Sequence, residues 1–230
     1  MTTIGGEDPG RPAPRSRVRI AVLISGRGSN MQALIEACAA PDFPAEIVRV
    51  IANRADAAGL QRARQAGIPV SVVPHREFAT RESFDAALDE ALRADRVELV
   101  CLAGFMRLLT PGFVERWHDR MLNIHPSLLP AFKGLHTHER ALAAGVRFSG
   151  CTVHFVRAEM DDGPIIVQAA VPVLPDDDAD ALAARVLDAE HRAYPLALRL
   201  VAEGRARVVA ERVIVNGAGA AGGPLLNPSE

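Results

Sequence analysis

Apolar runs alternate with amphipathic segments along the chain, a pattern typical of α/β proteins. Residues 18–24 form a near-continuous apolar run, as expected for a strand buried on both faces of a sheet. Met31, Leu34, Ile35 and Cys38 then recur with the i, i+3, i+4, i+7 spacing of one helix face. The sequence therefore predicts a strand, a glycine-containing loop and a helix in its first unit.

Two further units repeat this order. Residues 47–51 and 68–73 have strand character, and the Ala-rich helix predicted between them ends at Gly67. Thr80 is a predicted N-cap for the next amphipathic helix. Because strands alternate with helices, we expect a doubly wound, mostly parallel twisted sheet of Rossmann-like α/β type with helices on both faces.

The second half of the chain is less regular. Strand-like runs at 97–103 and 121–124 bracket a short helix that begins at Thr110-Pro111, a cap followed by proline. Further strands are predicted at 151–156 and 165–173, followed by a long helix that Asp178 caps. Pro195 should bend or break that helix. Residues 207–215 are predicted to form a closing hairpin or an edge strand.

Composition narrows the class of protein. The 230 residues are 49% apolar and carry a formal net charge of −2, so no bulk positive field recruits nucleic acid. No apolar run approaches the ~20 residues of a membrane span, and no signal core begins the chain, so we expect a cytoplasmic protein. The three widely spaced cysteines, Cys38, Cys101 and Cys151, are predicted to be reduced core thiols.

The termini differ in composition from the rest. Residues 1–16 are rich in Gly, Pro and Arg and are predicted to form a disordered extension, and residues 217–230 a loose tail. The remainder, 17–216, is expected to be one domain with two halves, 17–118 and 119–216.

The loop after the first strand has features of an anion site. Gly26 and Gly28 permit close approach of a ligand to the backbone, and Ser29 and Asn30 add donors at a helix N-terminus. A dinucleotide fingerprint would need glycine at Met31, and the P-loop lysine is absent. A single phosphate monoester is therefore the favoured ligand, and a tight capped turn is the alternative.

Asn123 and His125 stand at the end of a predicted strand, where ligands bind in open α/β sheets. Two residues apart in a strand, they point to the same face. The acidic turn at 159–164 follows a predicted strand and could bring a carboxylate to His125, and such a charge would raise the pKa of the imidazole. The alternatives are a hydrogen-bonded histidine at a strand end and a solvated turn.

The sequence as a whole resembles a known family, the phosphoribosylglycinamide formyltransferases of purine synthesis. The similarity spans about residues 18–207 and rests on motifs in a fixed order: ISGRGSN, LAGFMRLL, LNIHPSLLP, GLHTHERAL, TVHFV and MDDGPII. HPSLLP is shared more widely among enzymes that use 10-formyltetrahydrofolate, whereas GRGSN and GLHTHERAL narrow the resemblance to the glycinamide enzymes.

The resemblance implies an enzyme that transfers a formyl group from 10-formyltetrahydrofolate, as cosubstrate, to the amine of phosphoribosylglycinamide, with no metal. Asn123, His125 and Asp161 would be the catalytic residues. The acceptor would be bound by residues of the glycine loop and the long helix: Gly28, Ser29, Asn30 and Glu190. The folate would be bound by an arginine, a four-residue segment and the catalytic amide: Arg81, Met106, Arg107, Leu108, Leu109 and Asn123. The protein would bind small molecules rather than nucleic acid or membranes, as a monomer or homodimer.

One position departs from the family pattern. The family usually has Asp-Gly-Gly-Pro where this chain has Asp161-Asp162-Gly163-Pro164. Because glycine's conformational freedom is lost at Asp162, we expect a restricted loop. The departure also leaves open which acid meets His125.

Several alternatives stay open. A formyltetrahydrofolate hydrolase would use water as acceptor, and a methionyl-tRNA formyltransferase would carry a tRNA-binding domain. A metallohydrolase would use His125, His136, His138 and Asp161 as ligands. A catalytically silent sugar-phosphate-binding module would need the Gly28 loop but not the Asn123, His125 and Asp161 set.

Overall fold

A computed structural model describes residues 16–217, 219, 222–223 and 225–228. The predicted N-terminal extension therefore lies outside the described residues except for Ser16, and the predicted tail is described only in part.

Helices and strands alternate over most of the chain. The strands are β1 (Val18–Ile24), β2 (Ala45–Ala52), β3 (Val70–Val72), β4 (Leu99–Leu102), β5 (Met121–His125), β6 (Phe148–Phe155), β7 (Ile165–Pro172), β8 (Ala206–Val209) and β9 (Arg212–Val215). The helices are α1 (Ser29–Ala39), α2 (Gly59–Gln65), α3 (Arg81–Ala94), α4 (Pro111–Arg116), α5 (Thr137–Ala143) and α6 (Ala179–Ala202), with a 3-10 turn at His75–Glu77.

Strands β1 to β7 form one sheet in the order β3-β2-β1-β4-β5-β6-β7. The pairs from β3 through β5 are parallel, whereas β6 and β7 are antiparallel additions. The predicted doubly wound, mostly parallel sheet is confirmed. Strands β8 and β9 form a separate antiparallel hairpin, the first of the two structures predicted for that segment.

Each face of the sheet has its own apolar core, because successive side chains of a buried strand point to opposite faces. In β1, Ile20, Val22 and Ile24 pack in one core, whereas Ala21 and Leu23 pack in the other. Helices α1 and α6 cover the first face, and α3 and α4 cover the second. The predicted buried stripe of α1 is confirmed at all four positions.

The helix caps follow the sequence closely. Thr80 accepts a hydrogen bond from the backbone N–H of Ser83, and Thr110 caps α4 with Pro111 at its first turn. Asp178 caps α6 as predicted. Of the two effects predicted for Pro195, a bend or a break, the break does not occur, since α6 runs without interruption from Ala179 to Ala202. None of the described helices is long and apolar enough to span a bilayer.

A buried tyrosine of α6 ties the helix to the two strands that lead to the site. The Tyr194 hydroxyl lies 3.0 Å from the carbonyl oxygen of Leu102 and 3.2 Å from that of Leu122. A hydroxyl has one hydrogen to donate, so the two carbonyls share it. The contact fixes the end of β4 relative to β5, directly before Ala103 and Asn123.

Candidate active site

Two cavities lie where β1, β4 and β5 end. One has a volume of about 670 Å³ and is lined by Asn123, His125 and Asp161, and the other has about 490 Å³ and is lined by the glycine loop. Three lining residues are common to both cavities: Asn30, Gly104 and Met106. The cavities are therefore neighbours that can hold the two ends of one ligand.

The glycine loop places a helix N-terminus against the smaller cavity. Gly28 adopts the left-handed conformation (φ 71°) immediately before α1, and no side chain caps that helix. The first intrahelical hydrogen bond runs from the N–H of Gln32 to the carbonyl of Gly28, so the preceding N–H groups are available. With the helix dipole, they favour an anion at this point. The structure thus brings Gly28, Ser29 and Asn30 together in a loop whose geometry suits an anion.

Asn30 also connects this loop to α6. Its Nδ2 donates to Oε2 of Glu190 over 2.7 Å, and Glu190 is only 6% exposed. Burial raises the pKa of Glu190, while the Asn30 hydrogen bond and the His125 charge oppose that rise. The buried Oδ1 of Asn30 has no described partner. A ligand hydroxyl or amine between the two cavities would supply the missing donor.

His125 and Asp161 meet as the sequence suggested. Nδ1 of His125 lies 3.3 Å from Oδ1 of Asp161, and Nε2 lies 3.0 Å from the carbonyl oxygen of Phe132. Because both neighbours only accept hydrogen bonds, the doubly protonated imidazolium satisfies both ring nitrogens. Burial lowers the pKa of His125, but the hydrogen bonds to Asp161 and Phe132 and the nearby carboxylates outweigh it, so the pKa is raised.

Asp161 responds in the opposite direction. Burial raises the pKa of Asp161. The hydrogen bonds from His125 and from the N–H of Gly134, the latter at 2.7 Å, lower that pKa by more than burial raises it, so the net shift is downward. Both shifts favour the ionised pair. The result is a carboxylate and an imidazolium in contact on the wall of the larger cavity.

The His125–Asp161 contact forms with aspartate at position 162. The left-handed conformations fall at Asp161 (φ 49°) and Gly163 (φ 125°), and Asp162 has no positive φ. The expected restriction at Asp162 is therefore wrong, because that position does not use the freedom of glycine. Asp162 instead pairs with Lys133, with 2.6 Å between Nζ and Oδ1.

His154 is a site residue that sequence reasoning missed. It is 1% exposed, and its Nε2 lies 3.2 Å from Nδ2 of Asn123. Its Nδ1 donates to the carbonyl of Phe155 at 2.9 Å, so Nε2 accepts from Asn123 in the neutral ring. Burial lowers the pKa of His154 and keeps it neutral. His154 thereby orients the amide of Asn123, whose second N–H stays available to a ligand.

The predicted folate residues are only partly brought together. Met106, Arg107, Leu108 and Leu109 line the larger cavity, where Met106 and Leu108 present exposed apolar surface. The guanidinium of Arg107 lies 4.8 Å from the ring centre of Phe84. Arg81 is exposed at the start of α3 and lines neither cavity.

Together these groups suit polar chemistry at a carbonyl carbon. They offer two hydrogen-bond donors, a carboxylate that can handle a proton and an apolar wall for a flat ligand. The three cysteines are buried and unpaired, and burial raises the pKa of Cys151 to about 12, so they are poor nucleophiles. Across the described part of the chain, no group of three or more metal-ligating side chains is placed to hold an ion.

Comparisons with known proteins agree with this geometry. Residues 18–198 match the sequence model of the formyl transferase family. A curated phosphoribosylglycinamide formyltransferase of Haemophilus influenzae is 47% identical over 190 residues, which cover 83% of this chain and 90% of that protein. A trifunctional purine biosynthetic protein of Drosophila melanogaster is 55% identical over 197 residues, 85% of this chain. The chain spans only 15% of the length of that relative.

Solved structures give the same picture. Glycinamide ribonucleotide transformylase 1 from Symbiobacterium toebii has a TM-score of 0.86 and 48% identity, covering 90% of this chain and 99% of that one. A formyltetrahydrofolate deformylase from Pseudomonas syringae has a TM-score of 0.81 but 26% identity, covering 87% of this chain and 66% of that one.

Proposed function

The chain belongs to the formyl transferase family, and from that membership we propose that it is a phosphoribosylglycinamide formyltransferase. It would transfer the formyl group of 10-formyltetrahydrofolate to the glycinamide amine during purine synthesis. The observation that carries this proposal is the contact between His125 and Asp161 beside an anion-binding helix N-terminus. A hydrolase has no need of the second feature.

The acceptor would lie across both cavities. Its phosphate would rest on the N–H groups of Gly28, Ser29 and Asn30, and its ribose hydroxyls would meet Glu190 and the unpartnered Oδ1 of Asn30. This arrangement would leave the glycinamide amine beside His125. Holding both reactants in one place converts a bimolecular reaction into an effectively unimolecular one.

The folate would occupy the larger cavity. Met106 and Leu108 offer apolar surface to a flat ring, and the main chain of this segment offers donors and acceptors. Arg81 stands apart from both cavities, so its contribution would be limited to the outer, carboxylate end of the folate. The folate is a cosubstrate here, and the proposed reaction needs no metal.

The reaction would begin when the neutral amine attacks the formyl carbon. Negative charge then develops on the formyl oxygen, where the N–H of Asn123 and the imidazolium of His125 can donate hydrogen bonds. In the described state Nε2 of His125 donates to Phe132, so the ring must exchange that bond for the substrate. Nδ1 stays bonded to Asp161 and keeps the ring charged.

Collapse of the intermediate would break the bond between the formyl carbon and N10. The amine must lose a proton and N10 must gain one, so the reaction needs a group that carries a proton across the site. Asp161, directly or through a water, is the acceptor we propose. The charge on His125 keeps that carboxylate ionised and ready to take the proton.

The domain organisation is part of the same proposal. We propose one formyltransferase domain over residues 17–216, with the acceptor phosphate bound by the 17–118 half. The 119–216 half would be the folate and catalytic half, which supplies Asn123, His125 and Asp161 and part of the wall of the larger cavity.

The test is an acceptor-dependence assay with 10-formyltetrahydrofolate. We expect formylated product with glycinamide ribotide and little formate release without it. Formate released at an equal rate with no acceptor would instead indicate the deformylase activity named for the Pseudomonas syringae protein. Equal use of the ribotide and the dephosphorylated riboside would contradict the assignment of the glycine loop.

A further inference from the structure

The smaller cavity extends beyond the glycine loop, and several of its additional lining residues are basic. Its volume of about 490 Å³ extends past Gly28 and Ser29 to the residues that follow β2 and β3. Among the described residues that line it are Arg27, Arg54, His75 and Arg76, and no aspartate or glutamate. This charge complements an anion.

A buried amide in this cavity has no partner. Asn53 follows β2 directly and is 2% exposed, yet neither its Oδ1 nor its Nδ2 has a described hydrogen-bond partner. An unsatisfied buried amide costs about 1–3 kcal/mol per group, so such groups are normally paired with protein, water or ligand. An amide that lines an anion-binding cavity offers its N–H groups to the anion.

The main chain holds Asn53 in place. Its N–H donates to the carbonyl of Ile24 at 3.4 Å, which ties it to the end of β1 beside the glycine loop. Its carbonyl accepts from the backbone N–H of His75 at 3.2 Å and from Nδ1 of His75 at 2.8 Å. Asn53 therefore stands on a fixed backbone in the wall of the cavity, with its amide buried and unpartnered.

The arginines of the cavity differ in their pairing. Arg54 is bonded to Asp56 through both Nε and Nη2, at 3.0 and 2.7 Å, so much of its charge is already balanced. No described carboxylate lies within 4 Å of Arg76. Among the residues that follow β2 and β3, Arg76 is therefore less neutralised than Arg54. The exposed Arg27 adds a further positive charge from the glycine loop.

We propose that Asn53 and Arg76 form a second wall of the phosphate subsite, which acts together with the N-terminus of α1 to select acceptors that carry a terminal phosphate. This inference rests on the proposed formyl transfer to phosphoribosylglycinamide. Asn53 donates to the phosphate oxygens, and Arg76 contributes charge from the open side. Neither residue touches the reacting atoms, so their contribution appears in acceptor binding and specificity.

The decisive variant is Asn53→Asp. It keeps the size of the side chain but replaces an N–H donor by a carboxylate oxygen, which repels a phosphate. Loss of one hydrogen bond to a charged group corresponds to about a 10- to 150-fold change. We expect kcat/KM for glycinamide ribotide to fall by that factor, chiefly through KM, and kcat/KM for the riboside to change far less.

Two further variants and a control accompany it. Asn53→Ser shortens the side chain without adding charge and remains informative if Asn53→Asp does not fold, as thermal unfolding will show. Arg76→Ala should lower kcat/KM for the ribotide by up to about fivefold. Because the charge of Arg76 is exposed, high salt should screen its contribution to ribotide binding in wild type. Arg64→Ala removes an exposed arginine from the last turn of α2, outside both cavities, and should change nothing.

The outcomes separate the inference from the proposed function. If wild type prefers the ribotide but folded Asn53→Asp and Asn53→Ser keep the same ratio of ribotide to riboside use, the inference is wrong and Asn53 only binds water. If wild type forms no formylated product, the proposed transfer is wrong. Calorimetric titration with glycinamide ribotide then decides the inference, because wild type must still bind it more tightly than Asn53→Asp.

Discussion

Replacing Asp161 by Asn removes the charge partner of His125 and leaves almost everything else in place. Asparagine has the same shape and tolerates the left-handed φ of 49° at this position. Its side-chain oxygen can still accept the hydrogen bond from the N–H of Gly134. The amide NH2 then faces Nδ1 of His125 in place of Oδ1. The perturbation is therefore the loss of one negative charge and of one hydrogen-bond acceptor 3.3 Å from that nitrogen.

The size of the effect depends on what Asp161 does. A hydrogen bond to a charged group contributes about 1.5–3 kcal/mol, which corresponds to a 10- to 150-fold loss of kcat if Asp161 only keeps His125 charged. Proton transfer by a positioned side chain contributes about 10²–10⁴-fold in rate. A loss above about 10³ would therefore indicate that Asp161 also carries the proton.

The pH dependence gives an independent readout. In the proposed reaction the charged form of His125 is the active one, so we expect kcat/KM to fall as pH rises through the raised pKa of that histidine. Without the Asp161 carboxylate this pKa falls, and the alkaline limb of the profile should move to lower pH. The acidic limb reports mainly the protonation of the acceptor amine and should stay where it is.

Stability supplies a third check, with a defined pH window. Because the folded pKa of Asp161 is lowered, its contribution to the free energy of unfolding is full above the ordinary value of 3.8 and is lost as pH falls through the folded pKa. Because that of His125 is raised, its contribution is full below 6.5 and is lost as pH rises through the folded pKa. Asp161→Asn should therefore destabilise the protein most between about pH 4 and 6.5.

The neighbouring acid provides a matched control. Asp162 is half-exposed and pairs with Lys133, a type of surface ion pair that contributes about 0–1 kcal/mol. Asp162→Asn should leave kcat within about threefold of wild type and the pH profile unchanged. Assays of formyl transfer between pH 5 and 10, on all three proteins, make the comparison. A folded Asp161→Asn with wild-type kcat and an unmoved alkaline limb would refute the role of the pair.

Three other changes test the remaining parts of the site. Gly28→Val places a Cβ about 3.0 Å from the Cα of Gly59 at a left-handed position, so ribotide use should fall strongly while folate binding, measured by fluorescence quenching, is retained. His125→Ala should cost about 10²–10³ in kcat in a protein with wild-type circular dichroism, and near-normal turnover would exclude it as an oxyanion donor. Tyr194→Phe removes the hydroxyl that the carbonyls of Leu102 and Leu122 share, and it should lower both Tm and kcat. A lower Tm with unchanged kcat would limit the role of Tyr194 to stability.

Much of the fold was predictable because it depends on local periodicity. The four buried positions of α1 follow from spacing alone, and the caps at Thr80, Thr110 and Asp178 follow from side-chain chemistry at helix starts. Pro195 shows the limit of such rules. Proline disfavours a helix interior locally, but α6 packs on the sheet through residues before and after it, and that packing keeps the helix continuous.

The site was less predictable, because its contacts join residues that are far apart in the chain. Asn30 and Glu190 are 160 positions apart, and no local pattern reports their hydrogen bond. The sequence predicted only a strand around His154. The contact of His154 with Asn123 depends on the register between β5 and β6, which the sequence does not reveal. Asn53 lay between a strand and an Ala-rich helix, where an asparagine is ordinarily a turn residue. Only the burial of its amide in a basic cavity distinguishes it.

The chain segment after β5 contacts both members of the catalytic pair, which constrains how the site can work. The carbonyl of Phe132 accepts from Nε2 of His125, and two residues later the N–H of Gly134 donates to Oδ2 of Asp161. A formyl oxygen that takes the Nε2 hydrogen must displace the Phe132 carbonyl, because a ring nitrogen has one hydrogen to donate. In the proposed reaction, movement of this segment away from His125 would therefore also pull on the Gly134 contact that helps to keep Asp161 ionised. Substrate binding and the readiness of the carboxylate to accept a proton would then be coupled through two backbone groups that are two residues apart.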